Sequence, residues 1–292
     1  EIAQCLVGSE MCIRDRGSII FVKNLIGDCM LTPSLCDSEF ALLDINREKL
    51  YLAEGMLKNL NRNVNGGRAT VKAYESQREA LAGADFVINA IQVGGYDPCI
   101  INDFEIPLKY GLRQTYADTL GIGGIMRGLR TIPVMKGITD DMEELCPNAW
   151  LLNYTNPMAI VTGAVLKSSS IKTIGLCHSV QSCTKNLMDV VGMDCTGVEY
   201  KIAGINHQAW LLEVTKDGRD LYPEIKARAA QLTEPHEDMV RYEIMKRFGY
   251  YVTESSQHTA EYTPYFIKDK YPGKLEPVSY THLRAHETLS DL

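Results

Sequence analysis

Short apolar runs that alternate with helix-forming segments are the feature of this sequence that most limits its fold. Runs such as EFALL at 39–43 and ADFVINAI at 84–91 have the length and composition of buried strands. The order strand, helix, strand, helix predicts an α/β fold with a Rossmann-like, doubly wound parallel sheet. Strands are predicted at 39–43, 70–74, 84–91, 149–152 and 171–176, and helices at 19–30, 46–60, 75–82, 103–110, 125–146, 158–166 and 184–191.

The pattern changes near residue 195, which predicts a second domain. VEYKIAGI and QAWLLEVTKDGRDLY, from residue 198 onwards, are typical of longer strands with a hairpin turn at Asp217-Gly218. We therefore expect a Rossmann-like domain over residues 17–195 and a truncated α+β substrate domain over residues 196–277.

Composition excludes several functional classes. The net charge is −7 and no basic block stands out, so we expect no nucleic-acid partner. No apolar stretch approaches the roughly 18–20 residues of a membrane span, so we expect no membrane partner. The nine cysteines are odd in number and irregularly spaced, and no secretory leader is recognisable at the start. These features favour a reduced, cytoplasmic protein.

The two ends differ in character from the rest of the chain. Residues 1–16 and 278–292 lack strand or helix periodicity, and SEMCIRDR and VSYTHLRAHET resemble translated sequencing-adapter DNA. We exclude both segments from the fold prediction as artefactual. The first strand of the sheet and part of a phosphate-binding loop are then expected to be missing, with only Gly17 and Ser18 left of that loop.

Polar residues follow the predicted parallel strands, where ligands of open α/β sheets bind. They are Asp44, Asn89, Asn153 and Cys177. An acidic residue after the second strand can accept hydrogen bonds from an adenosine ribose, so Asp44 predicts NAD rather than NADP. The alternative is that Asp44 caps the next helix.

Cys177 in GLCHSV and His207 in GINHQAW each stand at the end of a predicted strand. A thiolate with an imidazole suits a divalent transition metal, and two protein ligands leave positions open for substrate oxygens. Taken singly, each residue has an ordinary alternative: a small core cysteine, or a histidine whose hydrogen bonds are satisfied within the protein.

The motifs of residues 17–277, taken in order, resemble glycoside hydrolase family 4, and most closely its α-galactosidase branch. They are FVKNLIGDCMLTP, LLDINREKL, ADFVINAI, GGIMRGLRTIP, NYTNPMAIVT, GLCHSVQ, AGINHQAW and AEYTPYFIK. The resemblance implies an NAD-dependent glycosidase. In this family NAD⁺ removes a hydride from C3 of the sugar, a base removes the C2 proton, and the glycosidic oxygen leaves by elimination. Water then adds and the hydride returns, while a divalent metal, usually Mn²⁺, stabilises the enediolate.

The resemblance also implies roles for individual residues. Cys177 and His207 become the metal ligands, and Asn206 helps to hold that site. Tyr262 is expected to be the C2 base, and the alternative is an aromatic residue in a packed loop. His178 is expected to protonate the leaving group, since the ordinary pKa of histidine lies near neutrality. The alternative is that His178 contacts the substrate or one of the metal-binding residues.

Further residues are assigned to the sugar and the cofactor. Asn153 is expected to bind sugar hydroxyls near the nicotinamide, and Arg127 to shape the substrate pocket. Gly17, Ser18, Asp44 and Asn89 are expected to bind the cofactor. His258, in ESSQHTAEY, is a further candidate for facing the site.

The expected partner is a small α-galactoside, with a homo-oligomer in the full-length enzyme. Three alternatives stay open at this point: the same family acting on α-glucosides, uronides or 6-phospho-sugars, an NAD-dependent 2-hydroxyacid dehydrogenase, and an inactive fragment. Because the chain is shorter than family members usually are, we expect it to bind NAD poorly in isolation.

Overall fold

The computed structural model describes residues 2–6, 18–232 and 238–267, and the chain divides into two compact units. Unit 1 comprises Glu1–Asp103 and Gly124–Leu176, and unit 2 comprises Phe104–Gly123 and Cys177–Leu292. The sequence pattern instead predicts that residues 177–195 belong to the first domain. The structure groups them with the second unit because Cys183 and Leu187 are buried in a core shared with Leu211.

Unit 1 contains a six-stranded parallel sheet in the order β3-β2-β1-β4-β5-β6. This order is that of a Rossmann-type doubly wound sheet and confirms the predicted fold class. The strands are β1 (Ile2–Leu6), β2 (Glu39–Leu43), β3 (Thr70–Tyr74), β4 (Phe86–Asn89), β5 (Trp150–Asn153) and β6 (Lys172–Gly175).

The expectation that the first strand is missing is wrong. Residues Ile2–Leu6 form β1, which pairs with β2 from Ile2↔Glu39 onwards and with β4 from Ala3↔Phe86 onwards. The segment IAQCL has enough apolar and β-compatible character to close the ladder between two buried strands. The rest of the segment that the sequence analysis excluded, residues 7–16, lies outside the described residues.

Helices cover both faces of the sheet because successive strand residues point to opposite sides. In β4, Val87 packs into a core with Met135 and Val161, while its neighbour Ile88 packs with Val22 in the other core. The helices of unit 1 are α1 (Ser18–Leu31), α2 (Arg47–Asn65), α3 (Gln77–Leu81), most of α5 (Gly121–Leu145) and α6 (Met158–Ser168), with a π-helical segment at Gly95–Ile100. Helix α4 (Ile101–Leu108) belongs mostly to unit 2.

Unit 2 is built around an antiparallel sheet in the order β10-β8-β7, with β9 paired to β8. The predicted hairpin at Asp217-Gly218 is confirmed, and both residues have positive φ. The strands are β7 (Glu199–Ile205), β8 (Gln208–Lys216), β9 (Arg219–Asp220) and β10 (Tyr251–Val252), and the helices are α7 (Ser179–Val190), α8 (Tyr222–Ala229), α9 (Met239–Phe248) and α10 (Ser256–Tyr262).

A buried arginine anchors the end of β10. Arg241 in α9 is 5% exposed and pairs with Asp238 at 3.0 Å. It donates hydrogen bonds to the carbonyl of Val252 at 3.1 Å and to that of Thr253 at 3.2 Å, and its guanidinium lies 4.1 Å from the ring centroid of Tyr251. These contacts fix the backbone that leads into residue 254.

No helix within the described ranges combines the length and apolarity that crossing a bilayer requires.

Candidate metal and cofactor sites

Five potential cation ligands of unit 2 come from five separate segments. Cys177 lies just before α7, and His207 lies in the turn between β7 and β8. Glu254 follows β10, His258 belongs to α10, and Asp118 precedes α5.

These side chains form two overlapping groups that share His207. The ligand atoms of Cys177, His207 and Glu254 all lie within 4.8 Å of one another. The same limit holds for Asp118, His207 and His258. The two metal ligands that the resemblance implied, Cys177 and His207, are therefore brought together.

A two-residue turn presents His207. Ile205 pairs with Gln208, so Asn206 and His207 alone connect β7 to β8. His207 has a φ of 61°, a left-handed conformation that histidine tolerates better than branched residues do. Its side chain is buried, and β8 continues directly from it into the core of unit 2.

Gly204 is the residue at which this hairpin is most sensitive to substitution. It has a φ of +142°, and an added Cβ would lie 2.6 Å from the Cα of Ala209 and 2.7 Å from the carbonyl oxygen of Gln208. Because both atoms belong to backbone, Gly204→Ala should cost ~1–3 kcal/mol of the free energy of unfolding and displace the His207 turn. Urea denaturation and Mn²⁺ titration measure the two effects.

The matched control is Gly55→Ala, since Gly55 lies inside α2 and an added Cβ there meets nothing within 4 Å. This substitution should stabilise the protein by about 0.5–1 kcal/mol. Equal effects at the two positions would show that the hairpin backbone tolerates a side chain.

The electrostatics of the Cys177–His207 pair favour an ion pair. Burial would raise the pKa of the Cys177 thiol, but its hydrogen bond to His207 and the charge of that ring, with help from Ser179, hold it below its usual value. Burial would lower the pKa of His207, but the hydrogen bond to Cys177 and the negative charges of Glu254 and Asp118 raise it to about 9. A cation would replace the proton on this pair.

Several buried polar atoms in these segments have no hydrogen-bond partner among the residues that the structure describes. They are Asn206 Oδ1, His207 Nδ1, Ser256 Oγ, Gln257 Nε2 and His258 Nε2. A buried imidazole nitrogen without a partner is costly unless a ligand fills the place. Thiolate, imidazole and carboxylate donors are also those that divalent transition metals bind. The residues present therefore fit a divalent cation.

Glu261 holds the loop that carries Asp118. Its carboxylate accepts hydrogen bonds from the backbone N–H of Tyr116 and of Ala117, both at 2.9 Å, and from the hydroxyl of Thr115 at 2.8 Å. Burial raises the pKa of Glu261, although the bonds from Tyr116 and Thr115 oppose that rise. Ala117 has a φ of 51°, so this carboxylate secures a loop conformation that alanine disfavours.

The three proton-transfer and substrate candidates of unit 2 occupy different surroundings. Tyr262 lies in α10 with its ring centroid 5.8 Å from that of His258. Burial and the negative charges of Asp118 and Glu261 raise the pKa of its phenol. His178 is exposed and stands at the start of α7. Asn206 is half-buried in the His207 turn. Their catalytic and binding roles stay predictions.

Asn153 is built into the sheet of unit 1. It has no exposed surface, and its side-chain oxygen accepts from Asn89 at 2.9 Å and from the backbone N–H of Thr155 at 3.1 Å. Its amide nitrogen donates to Thr162 at 3.0 Å and to the Thr155 carbonyl at 3.4 Å. All four hydrogen-bonding positions are thus taken, and a sugar hydroxyl would have to displace one of them.

Asn89 belongs to the same network, because it faces Asn153 across the ladder between β4 and β5. Its amide nitrogen donates to Thr155 Oγ1 at 2.9 Å, and its own Oδ1 is buried without a partner within the described residues. The structure therefore gives Asn89 a role in joining two strand ends, and its cofactor contact stays a prediction.

Asp44 follows β2 as predicted and does not cap α2. The cap is Asn46, whose side chain accepts from the backbone N–H of Lys49 at 3.0 Å. Asp44 instead accepts from the backbone N–H of Asn46 at 2.7 Å, and burial raises its pKa. In this strand order, an acidic residue at that position fits the ribose of a dinucleotide.

The remaining cofactor and substrate candidates are Gly17, Ser18 and Arg127. Gly17 lies outside the described residues, and Ser18 begins α1. Arg127 lies buried in α5 and donates to the side-chain carbonyl of Gln92 at 3.2 Å. Its contact with substrate stays a prediction.

Asp118 and Glu254 are not among the candidates that the sequence indicates. Asp118 lies in the loop QTYADTLG, and Glu254 lies between a two-residue strand and the serine that caps α10. Neither has a spacing motif to mark it. Only the folded chain brings them beside His207 and His258.

Two family profiles match this chain. The Family 4 glycosyl hydrolase profile matches residues 12–193, and the Family 4 glycosyl hydrolase C-terminal domain profile matches residues 202–290. The protein therefore belongs to glycoside hydrolase family 4, which confirms the resemblance found in the sequence.

Its relatives include two α-galactosidases. The α-galactosidase of Bacillus subtilis (strain 168) is 61% identical over 257 residues, which are 88% of this chain and 59% of that protein. The α-galactosidase of Rhizobium meliloti (strain 1021) is 37% identical over 255 residues, which are 86% of this chain and 52% of that protein. The chain thus spans little more than half the length of these curated relatives.

Among solved structures, the 6-phospho-β-glucosidase of Thermotoga maritima with NAD and glucose-6-phosphate matches with a TM-score of 0.73 and 25% identity. The match covers 98% of this chain and 64% of that one. A further structure of that enzyme, with manganese, NAD⁺ and glucose-6-phosphate, gives a TM-score of 0.75 at 24% identity and covers 99% of this chain and 64% of that one. Both share the fold described above.

Proposed function

We propose that this protein is an NAD- and divalent-metal-dependent glycoside hydrolase that acts on α-galactosides. The observation that carries the proposal is that the half-buried thiol of Cys177 and the buried imidazole of His207 lie together with a carboxylate beside them. A hydrolase that uses only paired carboxylates has no need of a cysteine and a histidine held in this way. Such a pair suits a cation that must also bind substrate oxygens.

The cation site is assigned to unit 2. Cys177 and His207 would hold the cation, with the carboxylate of Glu254 close to both. When bound, the cation supplies positive charge that stabilises oxygen atoms of the sugar as they become negative. The protein's contribution is to place these donors before substrate arrives, through the rigid turn at His207 and the backbone anchored after β10.

Proton transfers are assigned to Tyr262 and His178, as the family resemblance implies. Tyr262, as a phenolate, would accept the proton from C2 of the sugar, and His178 would donate one to the leaving oxygen. Burial and the charges of Asp118 and Glu261 oppose the phenolate, so the positive charge of a bound cation would have to favour it. His178 is exposed, which suits exchange of its proton with water between turnovers. Asn206, in the same turn as the metal ligand His207, would steady that turn or contact a hydroxyl.

The NAD site is assigned to unit 1. The strand order β3-β2-β1-β4-β5-β6 is that of dinucleotide-binding sheets, and Asp44 stands at the end of β2. Its carboxylate would accept hydrogen bonds from the ribose hydroxyls and would repel the 2′-phosphate of NADP. Asp44 is buried and fixed by the Asn46 N–H, so it is oriented before the cofactor binds.

The 61% identity to an α-galactosidase favours an α-galactoside over other substrates of the family. Relatives at 32–33% identity include an α-galacturonidase and an α-glucosidase, and a 6-phospho-β-glucosidase is 39% identical over a shorter match. A homo-oligomeric state and a cytoplasmic location stay predictions.

The test is an assay with p-nitrophenyl α-galactoside in four conditions: with NAD⁺ and Mn²⁺, without each, and without both, always with a thiol reductant. Cleavage should require both additions, because the proposed reaction needs a hydride acceptor and a cation. It should proceed without net NADH formation, since the hydride returns to the sugar. The protein is assayed as the chain described here and, where the gene encodes a longer product, as that product.

The controls are p-nitrophenyl α-glucoside, a p-nitrophenyl α-galacturonide and a 6-phospho-β-glucoside. Faster cleavage of any of them would correct the substrate and leave the reaction type standing. Cleavage of the galactoside that is unaffected by omitting NAD⁺ and Mn²⁺ would reject the proposed reaction. Steady accumulation of NADH with the galactoside would indicate net oxidation of the sugar, and NADH formation from a 2-hydroxy acid would indicate the dehydrogenase.

A further inference from the structure

The ring of His258 is held in a fixed plane inside unit 2. It is 7% exposed and stacks on the ring of Tyr116 with a centroid distance of 4.0 Å and an interplanar angle of 11°. The ring of His207 meets it edge-on at 4.8 Å and 85°. Rings packed on two sides in this way have little freedom to turn.

The two ring nitrogens of His258 face different groups. Nδ1 lies 2.9 Å from Ser255 Oγ and 3.4 Å from a carboxylate oxygen of Glu254. Nε2 is buried, lacks a hydrogen-bond partner among the described residues, and lies 3.6 Å from a carboxylate oxygen of Asp118. Ser255 and Glu254 therefore flank Nδ1, and Nε2 is the ring nitrogen that lacks a hydrogen-bond partner within the described residues.

Nε2 is directed into a group of metal-ligating atoms. Asp118, His207 and His258 offer one oxygen and two nitrogens, all within 4.8 Å of one another. Two ligands on opposite sides of a first-row divalent cation are separated by about 4.2 Å, so these atoms need only small movements to share one. His207 also belongs to the group that contains Cys177.

We propose that His258 is a further protein ligand of the cation, binding it through Nε2, and that Glu254 orients the ring from Nδ1. The inference rests on the proposed function, which places a cation at Cys177 and His207. Asp118 adds a carboxylate oxygen that lies within 4.8 Å of the ligand nitrogens of His207 and His258. A ligand set richer in nitrogen and oxygen is harder than a thiolate with one imidazole, so it shifts preference towards Mn²⁺.

The test is nitrogen-15 NMR of the protein labelled at histidine, titrated with diamagnetic Cd²⁺. Two imidazole rings should each show a metal-dependent shift at one nitrogen, and His258→Gln should leave one. As a control, His236→Gln should leave two shifted rings, because the inference names only His207 and His258. A single shifted ring in the unsubstituted protein overturns the inference, even if a His258 variant fails to fold.

A second measurement uses Mn²⁺ itself, followed by electron paramagnetic resonance. His258→Gln should weaken Mn²⁺ binding about tenfold or more, while far-ultraviolet circular dichroism stays unchanged. Unchanged Mn²⁺ affinity in a folded variant overturns the inference and leaves the proposed function intact. If neither Cd²⁺ nor Mn²⁺ binds the unsubstituted protein, the proposed function itself fails, and this inference with it.

Discussion

Cys177→Ser should abolish the metal-dependent hydrolysis of an α-galactoside and weaken divalent-cation binding by about 100-fold or more. The thiol of Cys177 has a pKa held below its usual value by His207 and Ser179, so a thiolate is readily available to a cation. A serine hydroxyl in the same place stays protonated and is a poor ligand for a transition metal. The measurement is a Co²⁺ titration, because a cobalt–thiolate bond has its own absorption band.

Cys195→Ser is the matched control. Cys195 is a half-buried thiol of the same unit, outside both ligand groups. The Cys195→Ser variant should bind Co²⁺ with the affinity of the unsubstituted protein and keep the cobalt–thiolate absorption band. Loss of the band in both variants, or in neither, would remove Cys177 from the cation site.

Arg241→Met should destabilise the protein by about 3–5 kcal/mol, the cost of breaking a buried ion pair by removing one partner. The substitution takes the guanidinium away from the buried carboxylate of Asp238. It also removes the donors that the carbonyls of Val252 and Thr253 accept from. Methionine fills the volume without replacing these bonds. The free energy of unfolding in urea measures the loss.

Arg247→Met, in the same helix, is the comparison. Arg247 pairs on the surface with Glu243, one turn earlier, and its side chain is 65% exposed. Exposed pairs of this kind contribute about 0–1 kcal/mol. Similar losses in the two variants would mean that Arg241 does not anchor the end of β10.

The layered part of the fold follows from local sequence patterns. EFALL at 39–43 and TVKAY at 70–74 are strands with the predicted bounds, because short apolar runs between helices have few other places to pack. The start of α5 was predicted four residues too late: the helix begins at Gly121 and not at residue 125. The glycines at the start of this segment indicate a loop in the sequence, although tertiary contacts can hold glycines in a helix.

Only some residues of the candidate site could be predicted from the sequence. Cys177 and His207 stand in recognisable motifs, whereas Asp118 and Glu254 are single acidic residues in loops. Their meeting depends on contacts between segments far apart in the chain, such as Glu261 with the backbone of Tyr116. Such contacts leave no periodic trace in the sequence.

Asn153 is a residue whose hydrogen bonds within the sheet could not be predicted from the sequence. A polar residue at the end of a parallel strand suggests a ligand contact. The register of β4 with β5 sets Asn89 directly opposite, and the amide nitrogen of Asn89 donates to Asn153 and to Thr155, while Oδ1 of Asn89 has no partner within the described residues. Sequence alone does not distinguish an amide that waits for a ligand from one that joins two strands.

The carboxylate of Glu261 couples the segment around Asp118 to the helix that carries His258. A shift of that helix by a fraction of a turn would move both an oxygen donor and a nitrogen donor. Attempts to alter the ion selectivity by redesign should therefore change the loop that carries Asp118 and the helix α10 together. Substitutions in only the loop or only the helix would change the distance between the oxygen donor of Asp118 and the nitrogen donor of His258.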